Sequence, residues 1–161
     1  MTAPMRRPIQ FRINPNQRLV LTGKVIEHFW KHTQKSFLIP ESGGQLFARI
    51  TPKCVTVTDA TGPYRSDLLS RYCFVPNKRR QRADIQEFFK RGLHYVGDWH
   101  THPQNIPTPS SLDLESMADC FKKSRHELES FVMVIVGTEE QEQGLWVGIH
   151  TSASYTKLNP L

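Results

Sequence analysis

Cysteine is scarce in this chain. Only Cys54, Cys73 and Cys120 occur among 161 residues, odd in number, widely spaced and without a Cys-x-x-Cys pair. That pattern excludes a disulfide framework and a cysteine-built zinc site, and it is expected of thiols in a reducing cytosol. Long hydrophobic runs are also missing. The longest apolar run, Phe131 to Val136, is far too short to span a bilayer, so no membrane partner is expected. Met1 to Asn16 holds Arg6, Arg7 and Arg12 but no apolar stretch of signal-peptide length, so nothing marks export and a cytoplasmic location is expected. No internal repeat, low-complexity tract or Gly/Ser linker divides the chain. One domain is therefore expected, over residues 18–161, behind an N-terminal segment 1–17. His-x-Glu followed later by Cys-x-x-Cys is absent too, which excludes the zinc deaminase arrangement.

What is present is a soluble composition with a basic balance. Hydrophobic residues make up 38% and charged residues 22%, enough apolar content for a substantial core at this length. The net charge of +6 is concentrated in Lys78-Arg79-Arg80-Gln81-Arg82 and in Lys122, Lys123 and Arg125. Such clusters attract acidic proteins or nucleic acid, or are simply solvated helix faces. Charge alone does not decide between these.

Periodicity predicts mixed strands and helices. Arg18 to Thr22 reads as extended. From Gly23 to Lys35, Val25, Ile26, Phe29 and Trp30 recur at helical spacing. Gly43 to Ile50 and Lys53 to Asp59 read as strands, the second β-branched and alternating. A turn follows over Asp59 to Pro63, then a strand over Arg71 to Val75. A helix is predicted over Ala83 to Arg91, with Ile85, Phe88 and Phe89 facing inward and Gly92 capping it. His94 to His102 is a strand stopped by Pro103, Gln104 to Pro109 a proline-rich loop, and Ser111 to Lys123 a helix. Phe131 to Val136 and Leu145 to His150 close the sheet. The order implies an α/β fold with helices packed outside a sheet.

One stretch carries chemistry: Gly97-Asp98-Trp99-His100-Thr101-His102-Pro103, then Ser110-Ser111-Leu112-Asp113. In a strand, residues two apart share a face, so His100 and His102 aim two imidazoles at one point before Pro103 turns the chain away. Asp113 falls in the first turn of the next helix, where the loop can bring it beside them. Two histidines and a carboxylate leave the fourth position of a tetrahedral zinc open, the mark of a catalytic site. Each fragment has a plainer explanation. An isolated His-x-His is commonly a surface pair, and Ser110-x-x-Asp113 also matches a helix capping box. Upstream, Pro40-Glu41-Ser42-Gly43-Gly44-Gln45-Leu46-Phe47 places an acid at the mouth of a strand, before two glycines that admit close backbone approach. Alone, Glu41 would be a loop acid. Asp98 can steady a ligand histidine or be solvated, Trp99 faces the core, and His28 and His32 are expected at the surface.

Glu-x-Gly-Gly-x-Leu, then His-x-His-Pro, six residues and Ser-x-x-Asp, resembles the JAMM metallopeptidases (MPN-plus, or JAB). The resemblance runs from about Val20 to His150. It implies a single-domain MPN fold with a mixed, curved sheet flanked by helices, and a bound zinc ion. By motif position it implies His100, His102 and Asp113 as zinc ligands, Glu41 as the general base and Ser110 as the residue steadying the tetrahedral intermediate. The chemistry implied is hydrolysis of an amide or isopeptide bond.

As a small single domain with Gly-Asp-Trp-His-Thr-His-Pro, the chain further resembles the stand-alone bacterial deconjugases of CBASS antiphage operons. There an activating-and-conjugating enzyme attaches the C-terminus of a cGAS-like nucleotidyltransferase to targets, and the JAMM partner cleaves that bond. Sister operons use a ubiquitin-like protein. The implied substrate is a protein with an extended C-terminal tail, held as an added strand between Gly43-Gly44 and the Gln104 to Pro109 loop. Two rivals stay open at this point: a non-catalytic MPN interaction module, and a DNA-associated JAMM protein whose basic clusters bind nucleic acid in a salt-sensitive way.

Overall fold

Phe131 to Val136 is apolar on every residue because it lies in the middle of a sheet covered on both faces. The computed structural model describes all residues except 1–3, 66, 70–73, 76, 125 and 127. Cys73, Arg125 and most of the strand expected over Arg71 to Val75 therefore lie outside the described residues.

The chain begins with a hairpin, β1 (Ile9–Asn14) and β2 (Gln17–Leu21), followed by α1 (Gly23–Lys31), β3 (Gly43–Ile50) and β4 (Cys54–Ala60). A short pair, β5 (Leu68–Leu69) and β6 (Phe74–Val75), precedes α2 (Lys78–Lys90). Then come β7 (His94–Thr101), α3 (Ser111–Lys123), β8 (Phe131–Val136), β9 (Leu145–His150) and β10 (Tyr155–Lys157). Eight strands form one mixed sheet in the order β1-β2-β4-β3-β7-β8-β9-β10. Its β2/β4 and β7/β8 pairs are parallel and the rest antiparallel. The sheet curls until the chain end reaches its first strand: Pro160 bridges Phe11, and the Leu161 amide donates to the Gln10 carbonyl at 2.9 Å. This is the expected single-domain α/β arrangement, a curled mixed sheet with three helices. No described helix is long and apolar enough to cross a membrane.

Alternation along β8 divides the core. Val132, Val134 and Val136 join Leu46, Val57, Val96 and Trp99 beneath Val25, Ile26, Phe29 and Trp30 of α1. Phe131, Met133 and Ile135 join Trp146 and Met117 of α3 on the other face. A strand buried on both faces loses the polar alternation of a half-exposed one. The division expected at residues 17/18 leaves β1 on the terminal side, yet β1 pairs along β2 and places Phe11 in the core.

Three helix details depart from the periodicity. First, α1 ends at Lys31 and not Lys35, because His32 closes a tight turn on the Phe29 carbonyl (3.1 Å) and Thr33 bonds the Trp30 carbonyl (3.3 Å). Second, α2 begins at Lys78, five residues earlier than expected, because Asn77 caps it by accepting the Arg80 amide at 3.0 Å. Third, Phe89 is 65% exposed and does not face inward. Asp84 takes a buried position in its place, bonded by the Tyr64 hydroxyl and paired with Arg80. Phe88 does pack inward, stacked on Phe47 at 4.0 Å, and Gly92 adopts the positive φ (+75°) of a C-terminal cap.

His150 is 1% exposed, packed between Trp146 and Tyr155, and its Nε2 has no hydrogen-bond partner among the described residues. Burial lowers its pKa from 6.5 to about 4. The unfolded chain takes up a proton near pH 6.5 that the folded chain refuses until about 4. Stability from this group is thus full above 6.5 and falls as the pH drops toward 4, by about 3 kcal/mol in all. Urea titrations of wild type and His150→Leu at pH 7.5 and 4.5 should show a smaller acid loss in the variant. Equal losses would place the acid sensitivity elsewhere.

Candidate metal centre

Strict alternation would put Tyr95 and Asp98 on opposite faces of β7, yet the Tyr95 hydroxyl donates to Asp98 at 2.9 Å. The strand is bulged at Gly97, where pairing with β3 slips between Leu46 and Phe47. Gly97 has φ of +153°, and a Cβ there would lie 1.8 Å from the Val132 carbonyl oxygen, so a side chain is excluded. Beyond the bulge the alternation resumes. Asp98, His100 and His102 line an open cleft, while Trp99 (1% exposed) and Thr101 (0%) enter the core. Trp99 is a core residue, as expected.

Thr101, between the two histidines, fixes where Glu41 sits. The Ser42 amide donates to the Thr101 hydroxyl at 2.9 Å, and the Thr101 amide donates to the Ser42 carbonyl at 2.9 Å. Its hydroxyl also donates to the buried Gln34 at 3.4 Å. Glu41 is thereby held at the mouth of β3, one residue beyond this strap. Asp113 arrives from α3, whose N-cap is Ser110. The Ser110 hydroxyl accepts the Asp113 amide (3.1 Å), and Asp113 Oδ2 accepts the Ser110 amide (2.8 Å). The capping box is therefore real, and it aims the Asp113 carboxylate at the histidines. The two explanations of the Ser-x-x-Asp fragment are one arrangement. Ser110 also lines the cleft, and its own hydroxyl proton is left free by the cap.

Donor atoms of Glu41, His100, His102 and Asp113 all lie within 4.8 Å of one another. His100 Nε2 and His102 Nε2 are 3.2 Å apart, and each is 3.2 Å from an oxygen of Asp113. Glu41 stands back, its nearest oxygen 4.0 Å from His100 Nε2. All four side chains are 12–16% exposed. Burial opposes the Asp113 charge, but the facing imidazoles and the Ser110 amide outweigh it and hold the carboxyl well below the usual range. Burial also dominates at Glu41, raising its pKa against the pull of the histidines. At His102 burial favours the neutral ring, while Asp113 and Gln104 more than offset it and raise the pKa. Lone pairs of two imidazoles and a carboxylate converging this closely repel unless protons or a cation lie between them. The cluster can hold a metal ion.

Sequence reading missed the residue that orients His102. Gln104 Oε1 accepts the Thr108 amide at 3.1 Å, so the atom facing His102 Nδ1 at 3.2 Å is an acceptor. Nδ1 must therefore carry the ring proton, which turns the Nε2 lone pair toward the cluster. Only a glutamine two residues past the second histidine could have signalled this. Thr101 and Gln34 carried no signal at all. Asp98, expected either to steady a histidine or to be solvated, instead accepts from Tyr95; burial raises its pKa to about 6. His28 and His32, expected at the surface, are half-buried against Trp99, and His28 Nε2 contacts the Gly62 carbonyl at 2.6 Å. The basic run from Lys78 to Arg82 covers the first turns of α2, with Arg80 held by Asp84 and over the Tyr64 ring.

The two glycines lie on an inner strand. β3 lies between β4 and β7, and Gly43 and Gly44 pair with His100 and Trp99. A Cβ at Gly44 would lie 1.7 Å from the Thr61 carbonyl oxygen, so no side chain fits there. Gly44 and Gln104 line the cleft, on the two segments expected to wall it.

Fold and cluster together define an α/β protein with an open carboxylate–imidazole cluster, able to hold a metal ion, at the mouth of adjacent strands. A family model described as prokaryotic homologs of the JAB domain matches residues 22–147, and the chain belongs to that family. A Vibrio cholerae serotype O1 protein named CD-NTase/cGAS isopeptidase is 31% identical over 134 residues, covering 81% of this chain and 80% of that protein. A protein of the same name from Escherichia coli strain TW11681 is 24% identical, covering 83% and 82%. Another from Enterobacter hormaechei is 31% identical, covering 74% and 67%. A solution structure from Desulfitobacterium hafniense shares the fold at TM-score 0.61 and 20% identity, covering 85% of this chain and 87% of that one. One from Salinibacter ruber does so at 0.51 and 19%, covering 85% and 86%.

Replacing Gln104 with leucine removes the acceptor at His102 Nδ1. Metal affinity measured by chelator competition should fall about ten- to a hundredfold. Gln104→Glu, which keeps an acceptor, should retain most of it. Unchanged affinity in the leucine variant would mean that the ring is oriented by other contacts.

Proposed function

We propose that this chain is a zinc-dependent isopeptidase that releases a protein from the group joined to its extended C-terminal tail. The released protein is a cGAS-like nucleotidyltransferase (CD-NTase), as in the names of its relatives, within CBASS antiviral defence. The observation that carries the reading is the spacing of three donors at 3.2 Å with a fourth acid at 4.0 Å. A tetrahedral zinc with bonds of about 2.0–2.1 Å has donors roughly 3.3 Å apart, which His100, His102 and Asp113 match. Imidazole and carboxylate without thiolate suit a hydrolytic zinc.

His100, His102 and Asp113 would hold the ion, and Glu41 would remain unligated. A zinc ion bound there supplies a nucleophilic water at neutral pH and polarises the scissile carbonyl. Glu41 takes the proton released as water adds to the carbonyl carbon. The burial that raises its pKa fits it to give that proton to the nitrogen as the C–N bond breaks, so the amine leaves neutral. The Ser110 hydroxyl donates to the carbonyl oxygen as charge develops there. A new C-terminal carboxylate and a free amine result. The chain would thus reverse the work of an activating-and-conjugating enzyme.

A CD-NTase fused through its tail to a reporter should be cut at the junction, and chelator should stop the cut. Cleavage of only a ubiquitin-like fusion would move the substrate to the sister class of conjugates. Glu41→Gln should keep one zinc per chain and an unchanged melting temperature while losing hydrolysis by about a hundredfold or more. Wild-type turnover in that variant would refute the base role, and loss of zinc would make Glu41 a ligand.

Ser110 has two jobs to separate. Ser110→Ala should lower kcat by about a hundredfold or more with little change in KM. Loss of the cap should cost about 1 kcal/mol of stability, seen as a lower melting temperature. A lowered melting temperature with near-normal turnover would leave Ser110 as a cap alone.

A further inference from the structure

The turn leading into Glu41 points large apolar side chains at solvent. Phe37 is 73% exposed and Leu38 80%. The turn is nevertheless firmly built. Ser36 accepts the Leu38 amide on its hydroxyl (3.1 Å) and the Ile39 amide on its carbonyl (3.2 Å). Gln34, 1% exposed, donates to the Ile39 carbonyl at 2.8 Å. The other end of the Gln34 carboxamide meets the Thr101 hydroxyl, between the two histidines. The apolar tip is therefore held in a set position relative to the metal centre. From a separate element, Leu112 is 65% exposed one residue before Asp113.

Phe37 and Leu112 line the same cleft, of about 800 Å³, as Glu41, His100, His102 and Asp113, with Met117 and Met133 deeper in it. That volume admits a short stretch of chain and not a folded domain. No lysine or arginine lines the cleft among the described residues. An acidic side chain seated against these walls would lose its hydration with no basic partner there, whereas an apolar one gains from every area it covers. Two methionines beneath can adjust to its shape. Because the walls are continuous with the cluster, the group that fills them belongs to the chain being cut.

We propose that Phe37 and Leu112 form the walls of a subsite that takes a bulky apolar side chain of the substrate tail, close to the cleaved bond. The proposal rests on the isopeptidase reading and adds a rule for which tails are cut. The zinc-loaded full-length chain is given the CD-NTase fusion with tail residues near the junction set, one at a time, to Leu, Phe, Ala, Asp or Lys. At one position Leu or Phe should be preferred over Ala and Asp by roughly ten- to two-hundredfold in kcat/KM. Phe37→Ala and Leu112→Ala should bring that ratio toward one, chiefly through KM, with zinc content and melting temperature unchanged. The same tails, labelled and bound to the Glu41→Gln variant, should rank in the same order by fluorescence anisotropy.

Chelator-sensitive cleavage with no apolar preference, or a preference untouched in both variants, overturns the subsite and leaves the isopeptidase reading intact. If no fusion is cut, that reading fails and the subsite falls with it. If the two variants instead convert a dimer to a monomer and keep the preference, the apolar tip binds a second copy and the proposal is wrong.

Discussion

Two hydrogen bonds between Ser42 and Thr101 hold the mouth of β3 against the strand that carries both histidines. The position of Glu41 relative to His100 depends on them, together with the Gln34 carboxamide, which holds the Ile39 carbonyl two residues before it. Thr101 is fully buried, so its hydroxyl must be bonded, and it is bonded to both Ser42 and Gln34. An unsatisfied buried hydroxyl or carboxamide costs about 1–3 kcal/mol. The strap therefore resists loosening, and it keeps the acid and the imidazoles at a common depth.

The bulge at Gly97 gives this arrangement its second support. It places Tyr95, Asp98, His100 and His102 on one face of β7 and frees the other face for Val96 and Trp99, which pack under α1. One strand thus serves the core and the cleft at once. The cleft face is covered by α3, whose capping box does two things with the same atoms: it closes the helix end and orients the Asp113 carboxylate. The helix cap and the orientation of this carboxylate thus rest on a single pair of residues, so loss of one disturbs the other.

Electrostatics divides the four central side chains by burial and company. Asp113 faces two imidazoles and a backbone amide and stays ionised, while Glu41, set back, is pushed toward the neutral form by burial. Two carboxyl groups a few ångströms apart thus sit in different electrostatic settings, one held charged and one pushed toward its protonated form. The basic residues of α2 and α3 do not line the cleft, whose walls beside the cluster are neutral and apolar groups and the Asp98 carboxyl.

Most elements were legible in the sequence where a single face decides them. α3, β3, β8 and β9 fall where hydrophobic period and capping residues put them, because those signals act over a few neighbouring residues. The length of α2 was misjudged because its first turns are polar, and Phe89 because periodicity cannot tell which of two adjacent aromatics a neighbouring sheet will cover. The motif residues Glu41, His100, His102, Ser110 and Asp113 could be picked from their order and spacing. That their donor atoms come within 4.8 Å of one another is a tertiary fact. So are the roles of Thr101, Gln34 and Gln104, whose partners are distant in the chain or depend on the turn of a loop. So too is the place of β3 between β4 and β7, which sets Gly44 as one wall of the cleft. By itself the sequence determined which residue types are available and which local segments they favour, since propensity and period are short-range. Only the folded chain decided which side chains meet and which strand edges are covered, because those depend on the register and curl of a sheet assembled from residues far apart.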